Sequence, residues 1–194
     1  FIVLLGSLFV IPGGVRLDGD LAAPPAVNTS MLAAGALLAS LVGTTGASML
    51  LIRPLLHANS ERRHVAHTVV FFIFLVSNIG GCLTPLGDPP LFLGSLRGVP
   101  FTWTLRLAPA WLFATTALLA IYLVWDARAY AAESPSRARA DRVRRTPLRL
   151  RGWEHLAYLA GVIAAVALLG APWREGVMIA LAAISYARTP ADVH

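Results

Sequence analysis

The chain has 194 residues, of which 57% are hydrophobic and only 13% charged, about half the charged share usual in globular proteins. A soluble domain of this size hides only about two-thirds of the surface its unfolded chain exposes, so much of this chain must have lipid as its solvent. The net charge is +6 and all 16 basic residues are arginines; they gather between apolar runs, which marks membrane topology, and no nucleic-acid partner is expected.

The sequence opens at Phe1 inside an apolar run, 1–12, with no initiating methionine, and closes at His194 just after another, so both ends read as cut. The opening run lacks the basic leader and small-residue cleavage site of a signal peptide. A single cysteine, Cys82, excludes an internal disulfide and a cysteine-based zinc site. Stretches free of Asp, Glu and Arg cover residues 21–52, 64–87, 107–125 and 155–173. A bilayer core of about 30 Å takes about 20 helical residues, so the last three can each cross once. The final apolar run, 176–187, is too short to cross as it stands.

Residues 28–56 form the ambiguous segment. Length allows one crossing. Yet Gly43-Thr44-Thr45-Gly46 stands at its middle and Pro54 near its end, and two glycines around two β-branched threonines make a poor helix centre. The same residues suit the tip of a re-entrant hairpin with two short limbs. Both readings stand on the residues alone.

The connectors differ in charge. Residues 126–152 hold eight arginines against Asp126, Glu133 and Asp141, a balance of +5. That places the loop in the cytoplasm by the positive-inside rule. Parity puts 57–67, with Arg62 and Arg63, on the same side, and 97–106 outside as a mild exception. His57, His64 and His67 are expected to lie in solvated loop rather than to bind a metal. Trp103, Trp111, Trp125, Trp153 and Trp173 stand near expected span ends, where indole rings favour the interface.

The densest signal is the string SNIGGCLTPLGDPP, Ser77 to Pro90, following an apolar helix expected over Val69 to Val76. No regular helix survives Gly80, Gly81, Pro85, Gly87, Pro89 and Pro90 together. Breakers at membrane depth leave backbone groups unpaired at several kcal/mol each unless protein, water or an ion satisfies them. An unwound stretch between half-helices offers carbonyls and hydroxyls to a cation, and a half-helix N-terminus offers N–H groups to an anion. Ser77, Asn78 and Thr84 are hard oxygen ligands. Asp88 is the only formal charge between Arg63 and Arg97; near a membrane it must pair, bind a cation or take a proton.

This string, preceded by GTTGASMLLIRPLL (Gly43 to Leu56), resembles the first half of permeases of the ion transporter superfamily. That group includes citrate-transporter-like proteins, sodium:proton antiporters and arsenite permeases, and the likeness is strongest to bacterial sodium:proton antiporters and citrate transporters. It covers about residues 1–130 well, and the remainder by hydropathy and by REGVMIALAAISY (Arg174 to Tyr186). The resemblance implies an all-α polytopic membrane protein of inverted-repeat transporter fold. Each repeat would carry a re-entrant hairpin and a broken helix, and one repeat would be present here. Residues 1–125 would form that repeat: a partial helix, the hairpin 28–56, the broken helix 67–96 and a span at 107–125. Residues 126–152 would be the cytoplasmic loop and 153–194 the start of the second half.

The implied ion and substrate site joins the tip residues Thr44, Thr45 and Ser48 to Ser77, Asn78, Gly80, Gly81, Thr84, Gly87 and Asp88. Many relatives carry an Asp-Asn pair where Thr44 and Thr45 stand, and an asparagine where Leu91 stands. The expected function is secondary active transport in the bacterial inner (plasma) membrane. It would be sodium:proton antiport or cation-coupled transport (symport) of a carboxylate such as citrate. No cofactor or resident metal is expected; a transported Na⁺ would lie at Ser77, Asn78, Thr84 and Asp88, or H⁺ would be carried instead. The expected partners are the lipid bilayer, the transported ion or small anion, and a second copy in a homodimer. The alternative is an integral-membrane enzyme acting on lipid or peptide through Asp88 and the histidines; Ser48 has no base in a matching segment to make it a nucleophile.

Overall fold

The computed structural model describes residues 2–20, 23–133, 146–170 and 172–189. Helix α1 (Ile2–Gly13) leads into strand β1 (Arg16–Asp20), and helix α2 (Pro25–Val42) follows. Pro25 is tolerated because the first turn of a helix has no use for its missing N–H. Gly43, at φ 84°, ends α2 and starts α3 (Thr44–Ala58). A side chain there would be strained and would press on the Leu86 carbonyl 3.3 Å away.

The segment 28–56 is therefore not one helix. The base of the pair is closed by Asn28 and Asn59, whose amides donate to each other at 2.9 Å. The limbs have 18 and 15 residues, longer than the short limbs the breakers suggested. Helix α2 is by itself long and apolar enough to cross a membrane.

Residues 66–83 form one helical path that changes pitch twice. It runs as α4 (Ala66–Phe72), then a π turn (Ile73–Asn78), then a 3₁₀ turn (Ile79–Leu83). The sequence pattern ends the helix at Val76. Instead the helix widens, and the Asn78 side-chain amide donates to the Ile73 carbonyl at 2.8 Å. Past Leu83 the chain is irregular until α5 (Pro89–Leu96), which also starts on prolines.

A 3₁₀ turn (Phe101–Leu107) then feeds α6 (Ala108–Ala131). This helix runs on past Trp125, so Asp126 and Arg128 are helical and not part of the loop in which their charges were counted. Of that arginine-rich loop, residues 134–145, with Arg137, Arg139, Arg142, Arg144, Arg145 and Asp141, lie outside the described residues. Its tail forms β2 (Thr146–Arg151), antiparallel to β1, with Arg16 opposite Arg151 and Leu17 opposite Leu150. This ribbon is an addition to the all-α expectation.

The stretch 155–173, read as one crossing, is divided. Helix α7 (Glu154–Leu168) has 15 residues and α8 starts at Trp173, running to Arg188. Gly170 and Pro172 account for the interruption.

The core is built where these helices cross. Leu4, Leu8 and Ile11 of α1, Leu32 and Ala39 of α2, Ala47 and Leu55 of α3, and Phe71, Phe72, Leu75 and Val76 of the pitch-changing helix are all buried. Helix α6 is the opposite case: Leu112, Phe113, Ile121 and Val124 are exposed, Phe113 by 77%. Its other face buries Tyr122 and Asp126, and so wide an uncovered apolar face belongs in lipid. Three helices, Pro25–Val42, Ala66–Leu83 and the one ending at Ala131, are long and apolar enough to cross. The architecture is that of an all-α polytopic membrane protein with one small ribbon. Trp103, Trp125, Trp153 and Trp173 are exposed as interface anchors should be, whereas Trp111 is buried.

Candidate ion and substrate site

The tip of the α2–α3 pair docks into the break after residue 83. The Thr44 backbone N–H donates to the Gly87 carbonyl at 3.1 Å. Its hydroxyl lies 3.1 Å from Asp88 Oδ1 and 3.3 Å from the same carbonyl. One threonine thus bridges the backbone and the carboxylate of the opposite segment. Four residues deeper in α3, the Ser48 and Ser77 hydroxyls meet at 2.8 Å, which joins α3 to the π turn.

Glycines allow this approach. A Cβ on Gly87 would fall 1.9 Å from the Gly81 carbonyl oxygen, and one on Gly80 would fall 2.8 Å from the Ala39 side chain. A Cβ on Gly81 would meet both Thr44 and Asp88 at 2.7–2.8 Å. At Gly80, Gly81 and Gly87 the missing side chain lets backbones come together at this junction.

Thr84 faces the other limb. Its hydroxyl donates to the Ser40 carbonyl, and the Ser40 hydroxyl donates to the Gly80 carbonyl. Thr104 Oγ1 donates to the Leu83 carbonyl at 2.9 Å. Ser40 and Thr104 were not among the residues singled out from sequence. Ser40 could have been, as one of the few polar residues inside an apolar run.

Not all candidates converge. Thr45 is exposed and Asn78 is exposed with its amide turned back to its own helix. Thr44, Ser48, Ser77, Thr84 and Asp88 are half-buried around the junction, and Gly80, Gly81 and Gly87 are buried within it. A cavity of about 450 Å³ opens beside them, walled by Ile2, Leu5 and Phe9 of α1, by Gly43 to Gly46, and by Pro85 to Asp88. Helices α3 and α5 both begin at this wall; α5 starts on Pro89 and Pro90, which have no N–H, and its next two amides, Leu91 and Phe92, donate to the Asp88 carbonyl at 3.1 and 3.3 Å.

The histidines are not equivalent. His57 and His64 are exposed, as a solvated loop requires. His67 is buried, with Nε2 2.9 Å from Asp126 Oδ1, and Arg62 is buried beside it on the same carboxylate at 2.6 Å. The sequence pattern places His67 in solvated loop and Arg62 in the same connector; the acid that draws both inward belongs to α6. The histidine–acid pairing therefore forms with Asp126, and Asp88 has no histidine partner among the described residues. That removes the geometric basis for an acid–base enzyme at Asp88.

Helices long enough to cross, an antiparallel helix pair docked by its tip on a broken helix, and hydroxyl and carboxylate oxygens at the junction define a membrane transport protein rather than an enzyme. The whole chain, residues 1–194, matches the family described as "putative citrate transport", and it belongs to that family. No curated protein matches it, and no solved structure does.

Proposed function

We propose that the junction of the α2–α3 tip with residues 77–88 is part of a site for cation-coupled transport of a carboxylate such as citrate. The observation that carries this reading is the bridge from Thr44 to both Gly87 and Asp88. It gathers a hydroxyl, a carbonyl and a carboxylate oxygen, the ligand type hard cations take. Asp88 has one side-chain partner among the described residues, Thr44, leaving acceptor capacity that a cation or proton can fill. The start of α3 favours an anion next to it. Among the described residues the cavity wall carries no arginine or histidine, and on this reading a coupled cation offsets the substrate's charge.

On this reading the α2–α3 pair is re-entrant, and the arginine-rich connector faces the cytoplasm of a bacterial inner membrane. Uptake of labelled citrate into vesicles holding the full protein, under an imposed sodium or proton gradient, tests the proposal. Uptake that follows one gradient supports it. Sodium–proton exchange that runs unchanged without citrate would replace it with antiport, and no flux under either gradient would discard it.

A further inference from the structure

At the base of the α2–α3 pair a second polar centre is buried, and the transport reading leaves it without a task. Asp126 is fully buried in α6. Arg62 Nη2 donates to its Oδ1 at 2.6 Å and Nη1 to its Oδ2 at 3.2 Å. His67 Nε2 lies 2.9 Å from Oδ1, and Asn28 Nδ2 donates to Oδ2 at 3.2 Å. Arg62 reaches further to Asn59 Oδ1 at 3.1 Å, and Asn59 is bonded in turn to Asn28 and to the Leu55 carbonyl. One carboxylate therefore ties the start of α2, the end of α3 and the start of α4 to α6.

The two halves of the candidate site are the far ends of those same rods. Along α3, Ser48 and Asn59 are eleven residues apart, and along the pitch-changing helix His67 and Ser77 are ten apart, about 15 Å in each case. Both paths run from the base that Asp126 ties together to the contact of Ser48 with Ser77, so a shift at the base is passed toward the tip. All four bonds to Asp126 come from side chains, which uses the acceptor sites of a carboxylate. No capacity is left for a transported cation.

We infer that Asp126 is a positioning residue of the transport site: through Asn28, Arg62 and His67 it fixes how Thr44 and Ser48 meet Ser77 and Asp88. This rests on the reading of that junction as the transport site.

The test uses a cross-link that needs no substrate. In the full protein carrying Cys82→Ser, Ser48→Cys and Ser77→Cys are introduced together, because the native hydroxyls stand 2.8 Å apart. Disulfide formation is timed in membranes with copper phenanthroline. Asp126→Asn leaves Arg62 buried without its partner, and cross-linking should slow about tenfold. Arg62→Gln combined with Asp126→Asn restores a neutral hydrogen-bonded pair, and the rate should return to within about twofold of the parent. In proteins that keep Ser48 and Ser77, the cation concentration for half-maximal citrate uptake should rise and recover in the same order.

An unchanged rate in Asp126→Asn overturns the inference, as does a paired variant as slow as the single one. If Asp126→Asn alone does not accumulate, the paired variant decides: the parental rate supports positioning and a slow rate overturns it. Loss of both variants also overturns it, because the cluster then serves general stability. Absence of gradient-driven citrate uptake in the parent would sink the transport reading while leaving the cross-linking result in place.

Discussion

Asp88→Asn separates charge from shape. The asparagine keeps an oxygen where Thr44 donates at 3.1 Å, so the tip should stay docked and the protein should insert normally. What disappears is the single formal charge between Arg63 and Arg97. An opposite charge about 4 Å away interacts with a carboxylate by about 4 kcal/mol at the effective dielectric of a partly covered site. Since every 1.4 kcal/mol is about tenfold in affinity, the cation should bind roughly a thousandfold more weakly. At millimolar sodium that is loss of coupled uptake. The assay is citrate flux into vesicles across a range of sodium concentrations and pH, with membrane content checked by immunoblot. An Asp88→Asn protein that transports with unchanged sodium and pH dependence would refute the reasoning. Asp88 would then serve only as the cap residue before α5.

Gly87→Ala puts a methyl 1.9 Å from the Gly81 carbonyl oxygen; backbone must move, and a loss of more than about 3 kcal/mol of stability is expected, beyond ordinary overpacking, visible as a lower melting temperature in detergent. Asn78→Ala removes the bond to the Ile73 carbonyl on an exposed face, so the cation concentration for half-maximal uptake should change by less than about tenfold, the worth of one net hydrogen bond. A cysteine at Ser134 should resist impermeant thiol reagents added outside intact cells, because its segment carries the +5 balance; ready labelling would invert the topology.

The breakers were legible because glycine and proline act locally. Gly43 and the run from Gly80 to Pro90 announced where helices stop, and the tip and the break are the places where the structure interrupts them. What a one-dimensional reading lacks is the third body. Nothing within 57–67 says that Arg62 and His67 turn inward; Asp126, 64 and 59 residues further on, supplies the reason. Asp126 itself was hidden by its place at the edge of an arginine-rich stretch, where it counted as one charge among eleven. Asn28 carried a fairer signal, a polar amide in an apolar run, but its use depends on Asn59 arriving from the other limb. Asn78 is a ligand candidate by type and position; the widened π turn takes its amide nitrogen to the Ile73 carbonyl, a bond that does not use its amide oxygen.

The two aspartates show why counting partners discriminates better than counting charges. Each sits among apolar helices, and each alone would be read as functional by the cost of placing it there. Asp126 is fully buried and takes four side-chain bonds, two of them from a guanidinium. Its desolvation is offset within the fold, and removing a partner strands a buried charge, so exchange with solvent ions would be costly. Asp88 is half-buried, takes one bond from a neutral hydroxyl, and borders a cavity. Its charge is offset only in part by the start of α3. A carboxylate in that condition gains from any cation that reaches it and, with a single side-chain partner of its own, can exchange that cation with solution. Exchange of that kind is what a coupling site requires, and of the two acids only Asp88 stands where the broken helix and the tip can both act on it.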